Sequence, residues 1–101
     1  MADKVVTLFC AAGMSTSLLV NKMKEAAAAE GKDYQIAAFS LGEAPNEAPK
    51  ADCILIGPQV RFALDKLKAY GKPIDSIDMR IYGLMDGKGA LAIAKKLLGE
   101  E

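Results

Sequence analysis

The chain has no histidine, no tryptophan and only two cysteines among its 101 residues, and its 13 basic and 13 acidic residues cancel. The missing histidine removes the commonest general base and zinc ligand, and it excludes a Cys-His protease. The basic excess typical of nucleic-acid binders is absent, and no apolar run is long enough to span a membrane. We therefore expect a single domain, residues 1–101, that binds no nucleic acid and does not insert into a membrane.

The two cysteines also indicate a compartment. The N-terminal residues carry no apolar signal-peptide segment with a small-residue cleavage site. Two cysteines without such a signal are typical of a reducing cytoplasm and argue against a structural disulfide. Cys53 lies inside an apolar run, where we expect it to be buried and inert. We expect a cytoplasmic protein.

Short runs rich in apolar and β-branched residues alternate with stretches of helical period. The runs predict four strands, at residues 4–9, 34–39, 52–56 and 74 to 77 or 78. The helical stretches predict three helices, at residues 17–30, 59–70 and 88–98. Residues 40–50 carry Gly42, Pro45 and Pro49, which predict a loop with at most a short helix.

This alternation predicts an α/β fold, a doubly wound four-stranded parallel sheet with helices on both faces. In such open sheets ligands bind at the carboxyl ends of the strands. Cys10, the Gly57-Pro58-Gln59 turn and residues 82–87 all follow predicted strands. We expect these three segments to converge on one edge of the sheet.

Cys10 ends the first predicted strand and opens the segment that leads into the first helix. That segment consists of Ala11, Ala12, Gly13, Met14, Ser15, Thr16 and Ser17. It contains no proline, so every residue offers a backbone N–H, and its hydroxyl groups add further donors. A helix start favours a phosphate, and a thiol held there acquires a lowered pKa and becomes a nucleophile. The segment predicts a phosphate-binding loop with a phosphoryl group carried on, or cleaved through, Cys10; the plainer interpretation is a buried cysteine followed by ordinary helix caps.

The spacing after the cysteine bears on which reaction follows. Small cysteine-dependent phosphatases place an arginine six residues after the nucleophile, where this chain has Thr16. Without that arginine, and without histidine to activate water, a phosphoryl group on Cys10 should form yet resist hydrolysis, as a carrier requires. The alternatives are a low-molecular-weight phosphatase or arsenate reductase, and a flavin-binding module suggested by Gly13 to Ser17. A receiver domain and a redox thiol are weaker alternatives, because acidic residues after the first strand and a Cys-x-x-Cys motif are missing.

Several other residues are candidates for the edge of the site. Met14 would present an apolar side chain to a partner or fold into the core. Gln59, after Pro58, would donate to the phosphate or to a partner, or simply begin a helix. Asp86 would protonate a leaving group in a phosphatase, or cap the last helix. Tyr82 lies in the same stretch. We expect neither a metal nor a cofactor.

The segment from Leu8 to Val20 closely resembles the active-site segment of the lactose/cellobiose-type enzyme IIB components of the bacterial sugar phosphotransferase system. The resemblance continues from Ile54 to Val60 and from Asp75 to Gly87, and it covers essentially the whole chain. It implies a doubly wound sheet of four parallel strands, related to the low-molecular-weight phosphatase arrangement. Ala11 departs from the family pattern, which has serine at this position.

The resemblance also implies a function. Cys10 would take a phosphoryl group from a phosphohistidine of the IIA component. It would pass the group to a sugar of the cellobiose, chitobiose or lactose class, held by the membrane-embedded IIC component, which would recruit the chain to the membrane. We expect a monomer, because a protein that binds two partners in turn through one loop has reason to leave that edge free.

Overall fold

The fold is built around four parallel strands. The computed structural model describes residues 4–10 and 13–100, without the side chains of residues 13–16. The strands are β1 (Lys4–Cys10), β2 (Tyr34–Ser40), β3 (Cys53–Ile56) and β4 (Ile74–Ser76). They form one sheet in the order β2-β1-β3-β4, and every pair is parallel. The predicted sheet is confirmed, with strand bounds within two residues of those expected.

Strand β1 lies in the interior of the sheet and is paired on both sides. Its register with β2 runs from Lys4↔Tyr34 to Cys10↔Ser40, and its register with β3 runs from Val6↔Cys53 to Phe9↔Ile56. All five residues from Val6 to Cys10 are buried. A strand covered on both faces needs apolar residues in succession, which explains why Thr7 is the only polar residue between Val5 and Cys10.

In the described residues, five α-helices and several 3₁₀ turns cover the two faces. The helices are α1 (Gly13–Ala29), α2 (Ala44–Glu47), α3 (Leu64–Leu67), α4 (Met79–Gly83) and α5 (Gly87–Leu98). One face packs against α1 and α5 through a cluster that includes Val6, Leu8, Leu19, Met23, Leu55, Leu91 and Ala94. The other face packs against α2 and α3 through Phe9, Ala44, Ala48, Ile54, Ile56, Val60, Ala63 and Leu67. The predicted doubly wound arrangement is confirmed.

The predicted start of the first helix, at residue 17, is wrong. Helix α1 begins at Gly13, four residues earlier, so most of the expected loop is the first part of the helix. Serine and threonine favour caps and turns over helix interiors, which suggested the later start. Near the beginning of a helix this preference costs little, because their hydroxyl groups can satisfy the unpaired N–H groups there.

The predicted continuous helix over residues 59–70 is also wrong. This stretch consists of a 3₁₀ segment (Pro58–Ala63), α3 and a second 3₁₀ turn (Lys68–Tyr70), with a break at Val60, where φ is −119° and ψ is 26°. A 3₁₀ helix has three residues per turn. That period brings Val60 and Ala63 onto the same buried side of the segment.

Helix α4 was not predicted. It fills the connection between β4 and α5, and Asp78 caps it by accepting the N–H of Arg80 at 2.7 Å. An aspartate just after a strand is a known helix-start signal. The helix is so short that the apolar period around Tyr82 is too brief to reveal it.

Helices α1 and α5 approach each other closely at Gly87. A Cβ at this position would lie 2.3 Å from the carbonyl carbon of Lys22 in α1, so only glycine fits. Further along, the Lys95 ammonium donates to the Glu30 carboxylate at 2.5 Å and lowers the pKa of that carboxyl. A lowered carboxyl pKa means that the pair contributes to stability at neutral pH and that the contribution is lost as the pH falls through the titration of Glu30.

The Gly87 contact predicts the effect of one methyl group. Gly87→Ala should lower the free energy of unfolding by about 1–3 kcal/mol, the usual cost of overpacking a tight contact. Urea denaturation of the variant beside wild type measures it. Gly83→Ala is the matched control, because a Cβ at Gly83 meets nothing within 4 Å. Equal stability of the two variants would show that the helices move apart without cost.

Candidate functional site

Cys10 is the last residue of β1 and lies at the carboxyl edge of the sheet. It pairs in register with Ser40 of β2, and its exposed fraction is only 2 %. On the other side, the backbone N–H of Gly57 donates to the carbonyl of Phe9 at 2.9 Å, which continues the β1–β3 pairing past the end of β3. Side chains alternate along a strand, so Cys10 lies on the same face as Leu8, toward α1 and α5. The predicted position of the thiol is confirmed.

Helix α1 begins three residues after Cys10, at Gly13. The first turn of a helix leaves N–H groups without acceptors in the helix, and it carries the positive end of the helix dipole. The sheet edge therefore brings together a cysteine and a helix start. Of the other predicted loop residues, Ala11 and Ala12 lie outside the described residues, as do the side chains of Met14, Ser15 and Thr16, whereas Ser17 is exposed in α1.

The turn after β3 lies directly against Cys10. A Cβ at Gly57 would lie 3.6 Å from the Cys10 Cβ and 3.3 Å from Oε1 of Gln59. Pro58 begins the following 3₁₀ segment, which confirms the interpretation of Pro58-Gln59 as the start of a helical segment. The close approach at Gly57 was not predicted. The available signal was a glycine immediately after a buried strand, which often marks a point where other chain segments come close.

Tyr82 and Asp86 have structural roles. Tyr82, in α4, is buried in the cluster beneath α1 and α5. Asp86 caps α5 by accepting the N–H of Gly89 at 2.9 Å. The predicted cap is confirmed. The stretch from residue 82 to residue 87 is thus the end of α4 and the start of α5 rather than a loop at the sheet edge, because a second short helix occupies the connection.

Cys53 differs from Cys10 in its surroundings. It begins β3 and is fully buried. Burial, with a smaller contribution from the neighbouring Asp52 carboxylate, raises the pKa of its thiol to about 12. A thiol in this state is neutral near pH 7 and does not act as a nucleophile. The two cysteines form no disulfide, and the predicted burial of Cys53 is confirmed.

A cleft of about 650 Å³ opens at the carboxyl ends of β3 and β4. Pro58 connects it to the turn beside Cys10, and Arg61 and Asp78 give it both signs of charge. A second groove, of about 710 Å³, lies between α2 and α3 on the face opposite the Cys10 side chain and is mainly apolar. Within residues 4–10 and 13–100, we find no group of three cysteine or carboxylate side chains suited to a metal ion, and no helix long and apolar enough to cross a membrane.

Comparison with known proteins decides the family. Residues 5–92 match the family described as "PTS system, Lactose/Cellobiose specific IIB subunit". The chain belongs to this family. Two relatives from Lactococcus lactis, a galactose-specific and a cellobiose-specific EIIB component, are each 50% identical to it over an alignment of 107 positions, gaps included. Each alignment covers 97% of this chain and 99% of the relative, so the match extends well beyond the segment around Cys10.

A solved structure and a longer relative agree with the family. The cellobiose-specific phosphotransferase IIB component of Borrelia burgdorferi is 30% identical and has a TM-score of 0.77, with 95% of this chain and 92% of that chain covered. A lactose-specific EIICB component of Lactococcus lactis is 29% identical over 90% of this chain, which corresponds to 17% of that longer protein. Components of this family belong to a sugar phosphotransferase system.

The cap at Asp86 is testable with two substitutions. Asp86→Ala should lower the free energy of unfolding by about 1 kcal/mol, because the Gly89 N–H loses its acceptor. Asp86→Asn should leave stability nearly unchanged, because asparagine is an equally good N-cap. Thermal or urea unfolding distinguishes the two. A loss as large in Asp86→Asn as in Asp86→Ala would mean that the charge, and not the hydrogen bond, matters.

The state of Cys53 is testable by alkylation. In a Cys10→Ser variant, iodoacetamide at about pH 8, where ordinary thiols are partly ionised, should leave Cys53 unmodified in the folded protein. The same reagent should modify it fully in denaturant. Mass spectrometry detects both. Rapid labelling of the folded variant would contradict the burial and the raised pKa of this thiol.

Proposed function

We propose that this chain is the phosphoryl carrier of a sugar phosphotransferase system and that Cys10 holds the phosphoryl group. The main support for this proposal is the position of Cys10 in a chain of the IIB family. Cys10 lies at the carboxyl end of β1, three residues before the start of α1. The donor is a phosphohistidine of the IIA component, and the acceptor is a sugar bound to the IIC component. Membership of the IIB family favours the carrier over the phosphatase, the flavin-binding module and the receiver domain.

The transfer takes place in two displacements at phosphorus. The Cys10 thiolate attacks the phosphohistidine, the S–P bond forms, the P–N bond breaks and the imidazole leaves. A sugar hydroxyl then attacks, the O–P bond forms, the S–P bond breaks and the thiolate returns. The hydroxyl proton passes to a base beside the sugar. Such transfers depend mostly on positioning and on donors that stabilise the equatorial oxygens.

The segment after Cys10 supplies those donors in this proposal. We propose that the unpaired backbone N–H groups of the first turn of α1, which begins at Gly13, face the phosphoryl group, and that the hydroxyl groups of Ser15, Thr16 and Ser17 add further donors. Ala11 contributes a backbone donor only. Because Thr16 stands where small cysteine phosphatases have arginine, water attacks the phosphocysteine slowly and the group survives until the acceptor docks.

Two partners dock in turn at this edge. Leu18 in α1 and Met79 in α4 are 50% and 67% exposed, and both belong to helices that follow strands ending here. Exposed apolar side chains around a reactive group suit transient docking, and Met14 extends this surface in our proposal. The name of the lactose-specific EIICB relative joins a C and a B component in one protein, which supports a IIC partner.

We further propose that the chain is a cytoplasmic monomer, brought to the membrane by IIC. Two relatives of equal identity are named for galactose and for cellobiose. These names do not choose between sugars. We propose a sugar of the cellobiose, chitobiose and lactose class, with the choice within it made by IIC.

The test is intact-protein mass spectrometry with peptide mapping after incubation with phosphoenolpyruvate, the general phosphotransferase proteins and the cognate IIA component. Wild type should gain one phosphoryl group on Cys10, stable in buffer and lost when IIC and sugar are added. Cys10→Ser should give no phosphocysteine. Cys53→Ala is the matched control and should be phosphorylated like wild type, because Cys53 is buried in β3.

Two outcomes would contradict the carrier. One is the absence of any adduct on wild type. The other is an adduct that is released at once as inorganic phosphate, together with turnover of an aryl phosphate, which would indicate a phosphatase.

A further inference from the structure

The turn after β3 forms a wall beside Cys10, on the side where β1 pairs with β3. Its position is set by the backbone, because the Gly57 N–H donates to the Phe9 carbonyl at 2.9 Å. A Cβ at position 57 would lie 3.6 Å from the Cys10 Cβ and 3.8 Å from the Phe9 carbonyl oxygen. The α-hydrogen face of Gly57 therefore lies against the cysteine side chain.

The backbone conformation does not explain why this residue is glycine. Gly57 has φ −65° and ψ 151°, an extended conformation that any residue adopts. What the glycine provides here is therefore free space beside the Cys10 side chain. A methyl group at this position would occupy the volume between Cys10 and Gln59, on the side of the cysteine from which the turn approaches.

Gln59 folds back over the same space. Its Oε1 lies 3.3 Å from the point where a Gly57 Cβ would be, so the carboxamide and the Cys10 side chain face each other across the bare glycine. Gln59 is exposed, and in the described part of the chain its carboxamide forms no hydrogen bond. A carboxamide carries two N–H donors and one acceptor, and a half-turn of the group exchanges them.

We propose that Gly57 and Gln59 complete the phosphoryl site: Gly57 leaves room for the group on Cys10, and the Gln59 Nε2 donates to one of its oxygens. This inference rests on the carrier function proposed above and adds to it a catalytic residue from outside the loop. A neutral amide stabilises the dianion less than an arginine fork does. That difference suits a group that must be held and then released.

The experiment compares Gln59→Leu and Gln59→Glu with wild type in the full chain. Each protein is phosphorylated by the cognate IIA component, kept charged with phosphoenolpyruvate. We expect the rate of phosphorylation to fall about tenfold or more in Gln59→Leu, the effect of one lost hydrogen bond to a charged group. Gln59→Glu should be slower still, because its carboxylate repels the phosphoryl group. The phosphorus NMR shift of the phosphocysteine should move in both.

Gln35→Leu and Gln35→Glu are the matched controls. Gln35 is exposed on β2 and pairs with Val5, near the opposite end of the sheet from Cys10. These variants should be phosphorylated at the wild-type rate and keep its phosphorus NMR shift. All four variants should unfold at the wild-type temperature, since both glutamines are exposed.

Gly57→Ala tests whether the space that Gly57 leaves beside Cys10 is needed for the phosphoryl group. The folded protein should accept it, because 3.6 Å to the Cys10 Cβ is an ordinary contact and the Gln59 side chain can move. Phosphorylation should be reduced about tenfold or more, the scale of a single lost contact to a charged group, without loss of thermal stability.

The outcomes separate the two proposals. If wild type is phosphorylated and the Gln59 variants match the Gln35 variants in rate and NMR shift, the role of Gln59 is overturned and the carrier stands. Wild-type phosphorylation of Gly57→Ala would overturn the role of Gly57. If wild type itself gains no phosphoryl group, the carrier function fails, and this inference fails with it.

Discussion

The pairing of β1 on both of its edges is the constraint on which the rest of the structure depends. Seven residues of β1 are in register with β2 and four with β3, and the strand is buried from Val6 onward. Cys10 is therefore the end of a rigid strand rather than part of a loop. A site built on such an element holds its reacting atom more precisely than a loop does. In the carrier function proposed above, this precision positions the phosphoryl group on Cys10 for transfer.

The same strand organises the surroundings of the thiol. Beyond Cys10 the chain enters α1, which packs against α5 with a close approach at Gly87 and is joined to it by the Glu30–Lys95 pair. Where β1 pairs with β3, the Gly57 N–H continues the ladder from β3 and brings the following turn against the cysteine. The start of α1 follows Cys10 in the chain, and on the β3 side Gly57 lies against the cysteine with the Gln59 carboxamide next to it. The site therefore depends on sheet register as much as on the residues near the thiol.

The fold was largely predictable because its two central strands, β1 and β3, are mostly buried and its longest helices are periodic. Leu19, Met23 and Leu91 all lie in the core as the helical period indicates. Prediction failed for short segments, because their conformation depends on packing against the core more than on their own apolar period. The residues around Val60 form 3₁₀ turns instead of one helix, and Met79–Gly83 form a helix too short to show a period. At the start of α1, hydroxyl residues suggested a loop where the chain is already helical.

The sequence by itself determined the sheet, the burial of Cys53, the cap at Asp86 and the resemblance that points to Cys10, because each depends on neighbours along the chain or on a continuous motif. The sequence also predicted that the turn at Gly57 and Gln59 reaches the same sheet edge as Cys10. Only the tertiary structure decided that this turn, nearly fifty residues away in the chain, lies directly against the cysteine. The contact arises because β1 and β3 are adjacent in the sheet and their register carries the turn after β3 to the end of β1. Register is a relation between strands, and a single strand does not encode it.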